Sequence, residues 1–133
     1  MKRFICLRFG APLFVVLALW LTGCAAAVVG GAAGGAVLFN KGELTSVEQA
    51  PVDRVYRASL DAVNKLNLDT VEKSSDTLKA KILAKEKNGD NVNINIEQKP
   101  NNLTELKIKI GTTGNEDRAR TVLAQIQQEL KES

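Results

Sequence analysis

Cys24 is the residue whose type and position point most clearly to chemistry. Its thiol stands where an apolar run ends, and it directly follows the small pair Thr22-Gly23, which leaves the thiol open to an enzyme at a membrane surface. Residues 1–8 carry three basic side chains, and residues 11–21 are apolar. A basic segment followed by a short apolar run is typical of a secretory signal. We therefore predict a signal peptide over residues 1–23, with cleavage before Cys24.

The stretch Leu21-Thr22-Gly23-Cys24 resembles the signal of bacterial lipoproteins. The resemblance implies that the Cys24 thiol takes a diacylglycerol and its freed amine a further acyl chain, so that the bilayer holds the protein. The residue after the cysteine is Ala25 and not Asp, which in lipoproteins of this kind implies sorting to the outer membrane, on its periplasmic face. The alternative location is the inner membrane. An uncleaved anchor is a second interpretation, because residues 11–39 could span a bilayer, which needs about 20 residues. The Ala- and Gly-rich composition of residues 25–39 argues against it.

Charge and residue types exclude several classes of function. Three of the 18 basic residues lie in the signal peptide, so 15 remain against 15 acidic residues, and we expect no nucleic-acid partner. Cys6 leaves with the signal and Cys24 is acylated, so no thiol or disulfide remains. The sequence has no histidine, which excludes the common metal sets and the Ser-His and Cys-His nucleophile pairs. We expect no catalytic residues, no metal and no cofactor, and therefore no enzyme.

Residues 24–41 are predicted to form a lipidated Gly/Ala-rich tether. Gly30, Gly31, Gly34 and Gly35 place the spacing Gly-x-x-x-Gly twice in an apolar stretch. Such spacing lets helices approach closely in membranes, so self-association as a glycine zipper is one interpretation. A flexible link between lipid and domain is the other, and we favour it.

A folded domain is expected over residues 42–133. Residues 42–49 favour a first strand, Pro51 suits the first turn of a helix, and residues 68–73 favour a second strand. Apolar residues at steps of three and four give the helix one stripe. Its predicted members are Val52, Val55, Tyr56, Leu60, Val63 and Leu66.

Three further strands are indicated by alternation of apolar and polar residues, which is typical of half-buried strands. Asn88-Gly89 suits a type I′ hairpin, and residues 100–102 suit another turn. The inward positions are predicted to be Leu78, Ala80, Ile82, Ala84, Val92, Ile94, Ile96, Leu106, Ile108 and Ile110.

The last element is a helix capped by Asn115, with a stripe formed by Ala119, Val122, Leu123, Ile126 and Leu130. Two amphipathic helices and a sheet with one apolar face bury their apolar surfaces best when both helices cover that face. We predict an α+β fold in the order β-α-β-β-β-β-α, with an antiparallel sheet of four to five strands. With each apolar stripe covered, the domain is expected to be monomeric.

The outer face of the sheet is predicted to be locally basic. Lys79, Lys81, Lys107 and Lys109 project from it, with Glu97 and Glu105 among them, and form a candidate surface for an acidic envelope protein or anionic headgroups. The simpler interpretation is that these lysines keep an exposed sheet soluble.

Beyond the signal, the chain resembles a family of small bacterial lipoproteins with a domain of unknown function. The resemblance rests on the Gly-rich run after Cys24, on Gly42-Glu43-Leu44, on Ala50-Pro51 with Arg54-Val55-Tyr56, and on the order strand, Asn-Gly turn, strand. The order of elements is also similar to the helix-grip domains of the accessory lipoprotein C of the β-barrel assembly machine, in topology only. We expect an anchored structural or interaction module of the cell envelope. The alternative is a carrier that holds an apolar ligand or lipid between sheet and helices. We disfavour it, because aromatic residues often line such pockets and Tyr56 is the only aromatic residue of the predicted domain.

Overall fold

The computed structural model describes residues 34–133, which form an antiparallel sheet of six strands with two helices against one face. Across the sheet the strands lie in the order β1-β2-β6-β5-β4-β3. None of the helices in this range is long and apolar enough to cross a membrane. In chain order the elements are β1 (Gly34–Asn40), β2 (Glu43–Glu48), α1 (Val52–Lys65), β3 (Asp69–Ser75), β4 (Lys79–Lys85), β5 (Asn91–Lys99), β6 (Leu103–Ile110) and α2 (Glu116–Glu132).

The predicted α+β class is confirmed, but the predicted number of four to five strands is too low. The additional strand is β1, which comes from the segment that the sequence analysis assigns to a tether. It pairs with β2 at the edge of the sheet, through a two-residue turn at Lys41-Gly42. Both turn residues have positive φ, 51° and 81°, as a type I′ turn requires.

The β4–β5 connection differs from its prediction in turn type only. The two strands are antiparallel neighbours, as expected, but residues 86–90 form a five-residue loop in which the backbone N–H of Gly89 donates to the Glu86 carbonyl. Gly89 has a positive φ of 97°, whereas Asn88 does not, so the predicted type I′ turn at Asn88-Gly89 is wrong. In the β5–β6 turn, both Asn101 and Asn102 adopt positive φ.

The assignment of inward and outward faces is confirmed along the meander. Leu44, Ile108, Ile94 and Ile82 lie side by side across four strands, and each is at most 1% exposed. Leu78 is the exception, since it precedes β4 and is 58% exposed. The helix-covered face of the sheet is therefore apolar along the meander, whereas most charged residues of the strands lie on the other face.

The helices cover this apolar face together. Helix α1 lies over β3, β4 and β5, α2 lies over β2 and β6, and the two helices contact each other. In α1 the small residues Ala58, Ser59 and Ala62 are buried and let the helix approach closely, which leaves Tyr56, Leu60 and Leu66 half-buried at the margin. Phe39 of β1 also packs against the core, so Tyr56 is not the only aromatic residue there.

Helix α2 follows its prediction closely. The side chain of Asn115 caps its first turn by accepting a hydrogen bond from the Arg118 backbone N–H at 3.1 Å, which satisfies one of the free donors at a helix start. Its predicted stripe is buried apart from Leu130, which is half-buried.

Gly42 and Gly114 make the closest backbone approach between the β1–β2 turn and the loop before α2. A Cβ at Gly42 would collide with the carbonyl group of Thr113, and a Cβ at Gly114 would collide with the backbone of Gly42. Because both positions also have positive φ, a larger residue at either would be strained. The turn thus fixes where α2 begins.

An ion pair joins the ends of the two helices. The Lys65 ammonium lies 2.7 Å from a carboxylate oxygen of Glu129, which is buried and also accepts a hydrogen bond from Gln125. Because the hydrogen bond favours both charged forms, it raises the pKa of Lys65 and lowers the pKa of Glu129 from their ordinary values of 10.5 and 4.5.

The two faces of the sheet give a first prediction. Ile94→Asp should lower the free energy of unfolding by about 3 kcal/mol or more, because it buries an unpaired carboxylate. Lys107→Asp on the opposite face should lower it by about 1 kcal/mol at most, because that position is solvated. Chemical denaturation of both variants measures the difference. Equal losses would mean that the faces are misassigned by one residue.

The Glu129 ion pair gives a second prediction, for acid. Since the pKa of Glu129 is lower in the folded than in the unfolded chain, its contribution is present above pH 4.5 and is lost as the pH falls through the folded-state pKa. The Tm of the natural protein should therefore fall more steeply below about pH 4.5 than that of Glu129→Gln. Parallel slopes for the two proteins would contradict this assignment.

Candidate interaction surface and the Glu48 depression

The four predicted surface lysines do lie on one face of the sheet, the face that the helices leave open. Lys81 of β4 and Lys107 of β6 are both register partners of Asn95 on β5. Lys79 is opposite Glu97, and Lys109 is opposite Asn93. We call this side of β4, β5 and β6 the open face.

Two of the four lysines are already paired with glutamates. Lys79 lies 3.6 Å from Glu97, and Lys107 lies 3.1 Å from Glu105. The pKa of Lys107 is raised because its ammonium donates a hydrogen bond to Glu105. Lys99 adds a further cation between the same two glutamates, at 3.8 Å and 3.6 Å. Exposed pairs of this kind contribute about 1 kcal/mol or less each.

On β4, β5 and β6 the open face keeps an excess of positive charge, because six lysines (residues 79, 81, 85, 99, 107 and 109) lie there against Glu97 and Glu105. The strands that flank the meander bring Glu43 opposite Lys109, Asp69 opposite Lys85 and Glu72 opposite Leu83. Lys81, Lys85 and Lys109 have no carboxylate within 4.0 Å among residues 34–133, so these three lysines carry the unpaired positive charge of the face. A shallow depression of about 460 Å³ on this face includes Lys79, Lys81 and Lys107 but not Lys109.

A second polar site, which sequence reasoning missed, lies at the end of β2. Glu48 is 2% exposed, and its Oε1 accepts hydrogen bonds from Ser46 Oγ at 2.6 Å and from Gln127 Nε2 of α2 at 3.0 Å. It lines a depression of about 270 Å³ with Arg54, Leu130 and other residues, which we call the Glu48 depression.

Glu48 differs from the other buried glutamates of the described domain. Glu129 pairs with Lys65 at 2.7 Å, and Glu86 pairs with Arg118 at 2.5 Å. Within residues 34–133, Glu48 alone among these three has no lysine or arginine within 4.0 Å. The two side chains that donate hydrogen bonds to it, Ser46 and Gln127, are both neutral.

The rim of the Glu48 depression is basic. Arg54 donates hydrogen bonds to the carbonyl groups of Leu130 at 2.9 Å and Ser133 at 3.1 Å, which holds the start of α1 against the end of α2. Lys131 also lines the depression, and its side chain has no carboxylate within 4.0 Å in the part of the chain that the structure describes.

The sequence did contain a signal for Glu48. Leu44, Ser46 and Glu48 alternate with exposed or half-buried neighbours, so period two places Glu48 on the side of Leu44, facing the helices. Its approach to Gln127 and Arg54 depends on how α1 and α2 dock, which local patterns do not show.

Cys24 lies outside the described residues, so its predicted acylation stays a prediction. Residues 34–133 contain no group of three or more side chains suited to hold a metal ion.

Comparison with known proteins identifies a family but no characterised relative. A search of curated proteins finds no match. Residues 9–129 match the family described as "Protein of unknown function (DUF3568)", a span that takes in the apolar run, Cys24, the six strands and most of α2. The expected membership in a family with a domain of unknown function is confirmed: the chain belongs to the family Protein of unknown function (DUF3568).

Proposed function

We propose that this protein is a lipoprotein anchored through acylated Cys24, which presents its α+β domain at the periplasmic face of the outer membrane as an interaction module. The anchoring is supported by the basic and apolar segments before Cys24 and by the small residues next to it. The family match begins at residue 9, after the basic segment, and includes the apolar run and Cys24.

The observation that carries the interaction role is the contrast between the two faces of the sheet. One face is closed by α1 and α2, whereas the open face presents charged side chains on three adjacent strands. Lys81 and Lys109, with Lys85 at the margin, are the cations there that are free to meet acidic groups of an envelope protein or of lipid headgroups.

The packing between sheet and helices favours this role over that of a carrier. The positions where an apolar ligand would sit are filled by side chains that are less than 2% exposed, among them Ile82, Ile94 and Ile126. A carrier needs an interior space of several hundred Å³. The depressions described for residues 34–133 lie at the surface and are lined largely by charged and polar residues.

Anchoring is tested by Cys24→Ser. The variant should lose incorporation of a labelled fatty acid and accumulate as uncut precursor, because acylation and cleavage both depend on the thiol. Gel mobility and metabolic labelling report the two steps, and fractionation of the natural protein reports the membrane. Normal maturation of the variant would refute lipidation, and recovery of the natural protein only in the inner membrane would refute the sorting.

The interaction role is tested by removing charge from the open face. Lys79, Lys81, Lys107 and Lys109 changed together to Gln should weaken crosslinking to the partner in intact envelopes, and Lys81→Gln with Lys109→Gln should account for most of that loss. The contact should also weaken as salt rises, because exposed charges are screened beyond about 8 Å at physiological ionic strength.

A matched control removes two charges from the helical side instead. Arg57→Gln and Arg120→Gln each break an exposed ion pair within one helix and leave the open face unchanged. They should leave the crosslinks intact. Crosslinks that resist both the lysine changes and high salt would refute the open face as the contact.

A further inference from the structure

The Glu48 depression combines a buried carboxylate without a cation and a basic rim. Removing a carboxylate from water costs free energy unless opposite charge or hydrogen bonds compensate for it. Both hydrogen bonds to Glu48 are accepted by Oε1, so Oε2 has no partner within residues 34–133. Every buried side-chain oxygen in that range has a hydrogen-bond partner, so Oε2, which has none, is not buried. Because Glu48 lines the depression, Oε2 faces it.

We propose that the Glu48 depression binds a small zwitterion in which a primary ammonium group is joined by a short linker to a phosphate, as in phosphoethanolamine. The ammonium group donates to Oε2 of Glu48 and supplies the positive charge that the fold does not. Lys131 at the rim and Nη1 of Arg54, which the hydrogen bonds from Nε and Nη2 to Leu130 and Ser133 leave free, bind the phosphate, for which guanidinium and ammonium groups are well suited.

Size and charge favour this class over the simpler ligands. The volume of about 270 Å³ suits a ligand smaller than those of typical small-molecule sites, which occupy about 300–1,000 Å³. A metal cation is disfavoured, because Glu48 would be its only carboxylate ligand and the positive charges of Arg54 and Lys131 would repel it. A quaternary ammonium has no N–H to donate to Oε2, and an anion without an amine would leave Glu48 unpaired.

The register of β1 indicates the source of the ligand. Gly34, the first residue of β1, is the register partner of Glu48. Residues 25–33 separate Gly34 from Cys24, and a chain of that length spans about 36 Å at most. If the chain is anchored as proposed above, the depression lies close to the bilayer, and the nearest zwitterions are lipid headgroups. Only this step rests on the proposed function.

The test is a calorimetric titration of the full mature chain, in detergent, with sn-glycero-3-phosphoethanolamine. Glycerol 3-phosphate, which lacks the amine, and sn-glycero-3-phosphocholine, which lacks the N–H donors, are the comparison probes. We expect saturable binding of the first probe and at least about tenfold weaker binding of the other two, because glycerol 3-phosphate brings no positive charge to Glu48 and the choline probe brings no hydrogen-bond donor. No saturable binding of the first probe, or equal binding of all three, would overturn the proposal.

Variants assign the binding to the depression. Glu48→Gln should weaken it about tenfold or more, whereas Glu105→Gln, a matched loss of a carboxylate on the open face, should leave it unchanged. If Glu48→Gln does not fold, Lys131→Gln at the exposed rim replaces it and should weaken binding severalfold. Should Lys131→Gln instead strengthen binding, Lys131 would be the counter-ion of Glu48 and the proposal would fail.

The source is tested separately, in nanodiscs that hold the natural protein. In discs of phosphatidylglycerol alone the soluble probe should bind, and phosphatidylethanolamine added to the discs should compete with it. Binding without such competition would overturn the assignment to lipid headgroups. Because the detergent titration does not need an anchor, failure of the Cys24→Ser test would leave its result intact.

Discussion

The structure depends on the need to cover one apolar face of a sheet. Leu44, Ile108, Ile94 and Ile82 form a continuous row across four strands, and in water that row must be buried. A single helix is too narrow for six strands, so α1 and α2 lie side by side and contact each other. The last turns of α2 then contact both ends of α1, through the Lys65–Glu129 ion pair at the end of α1 and through Arg54 at its start. The same requirement leaves the second face to water.

Local patterns were sufficient to predict most of this fold, because period two and period 3.6 are properties of short segments. They identified the strands of the meander, both helices and the Asn115 cap. They failed for β1, whose Gly- and Ala-rich sequence shows no alternation and which is a strand only because β2 offers an edge to pair with. Turn type failed for a related reason. Asn88-Gly89 and Lys41-Gly42 both end in a glycine that adopts positive φ, but the loop at Lys41-Gly42 has two residues and the loop around Asn88-Gly89 has five. Only the shorter loop is a two-residue turn.

The candidate sites show the same division between local and long-range information. Period two placed the four lysines on one face, yet the charge of that face depends on the neighbours that the strand order supplies, and β2 and β3 supply Glu43, Asp69 and Glu72. For Glu48 the alternation along β2 contains a signal of burial that the sequence analysis did not use. Its donor Ser46 is a neighbour on the same strand, but the donor Gln127 and the position of Arg54 at the rim follow from the docking of α1 and α2, and α2 is distant from β2 in sequence.

Register, more than fold class, decides what this domain can present at a membrane. The same α+β fold with β1 shifted by two residues would place another part of β2 beside the incoming chain. As it stands, Gly34 is opposite Glu48, and Gly42 at the other end of the hairpin is locked against the loop before α2. The hairpin is therefore fixed at both ends. The open face lies on β4, β5 and β6, whereas the Glu48 depression lies at the end of β2 on the side of the helices. The two polar sites are thus separate surfaces of the described domain, and a ligand at one would leave the other uncovered.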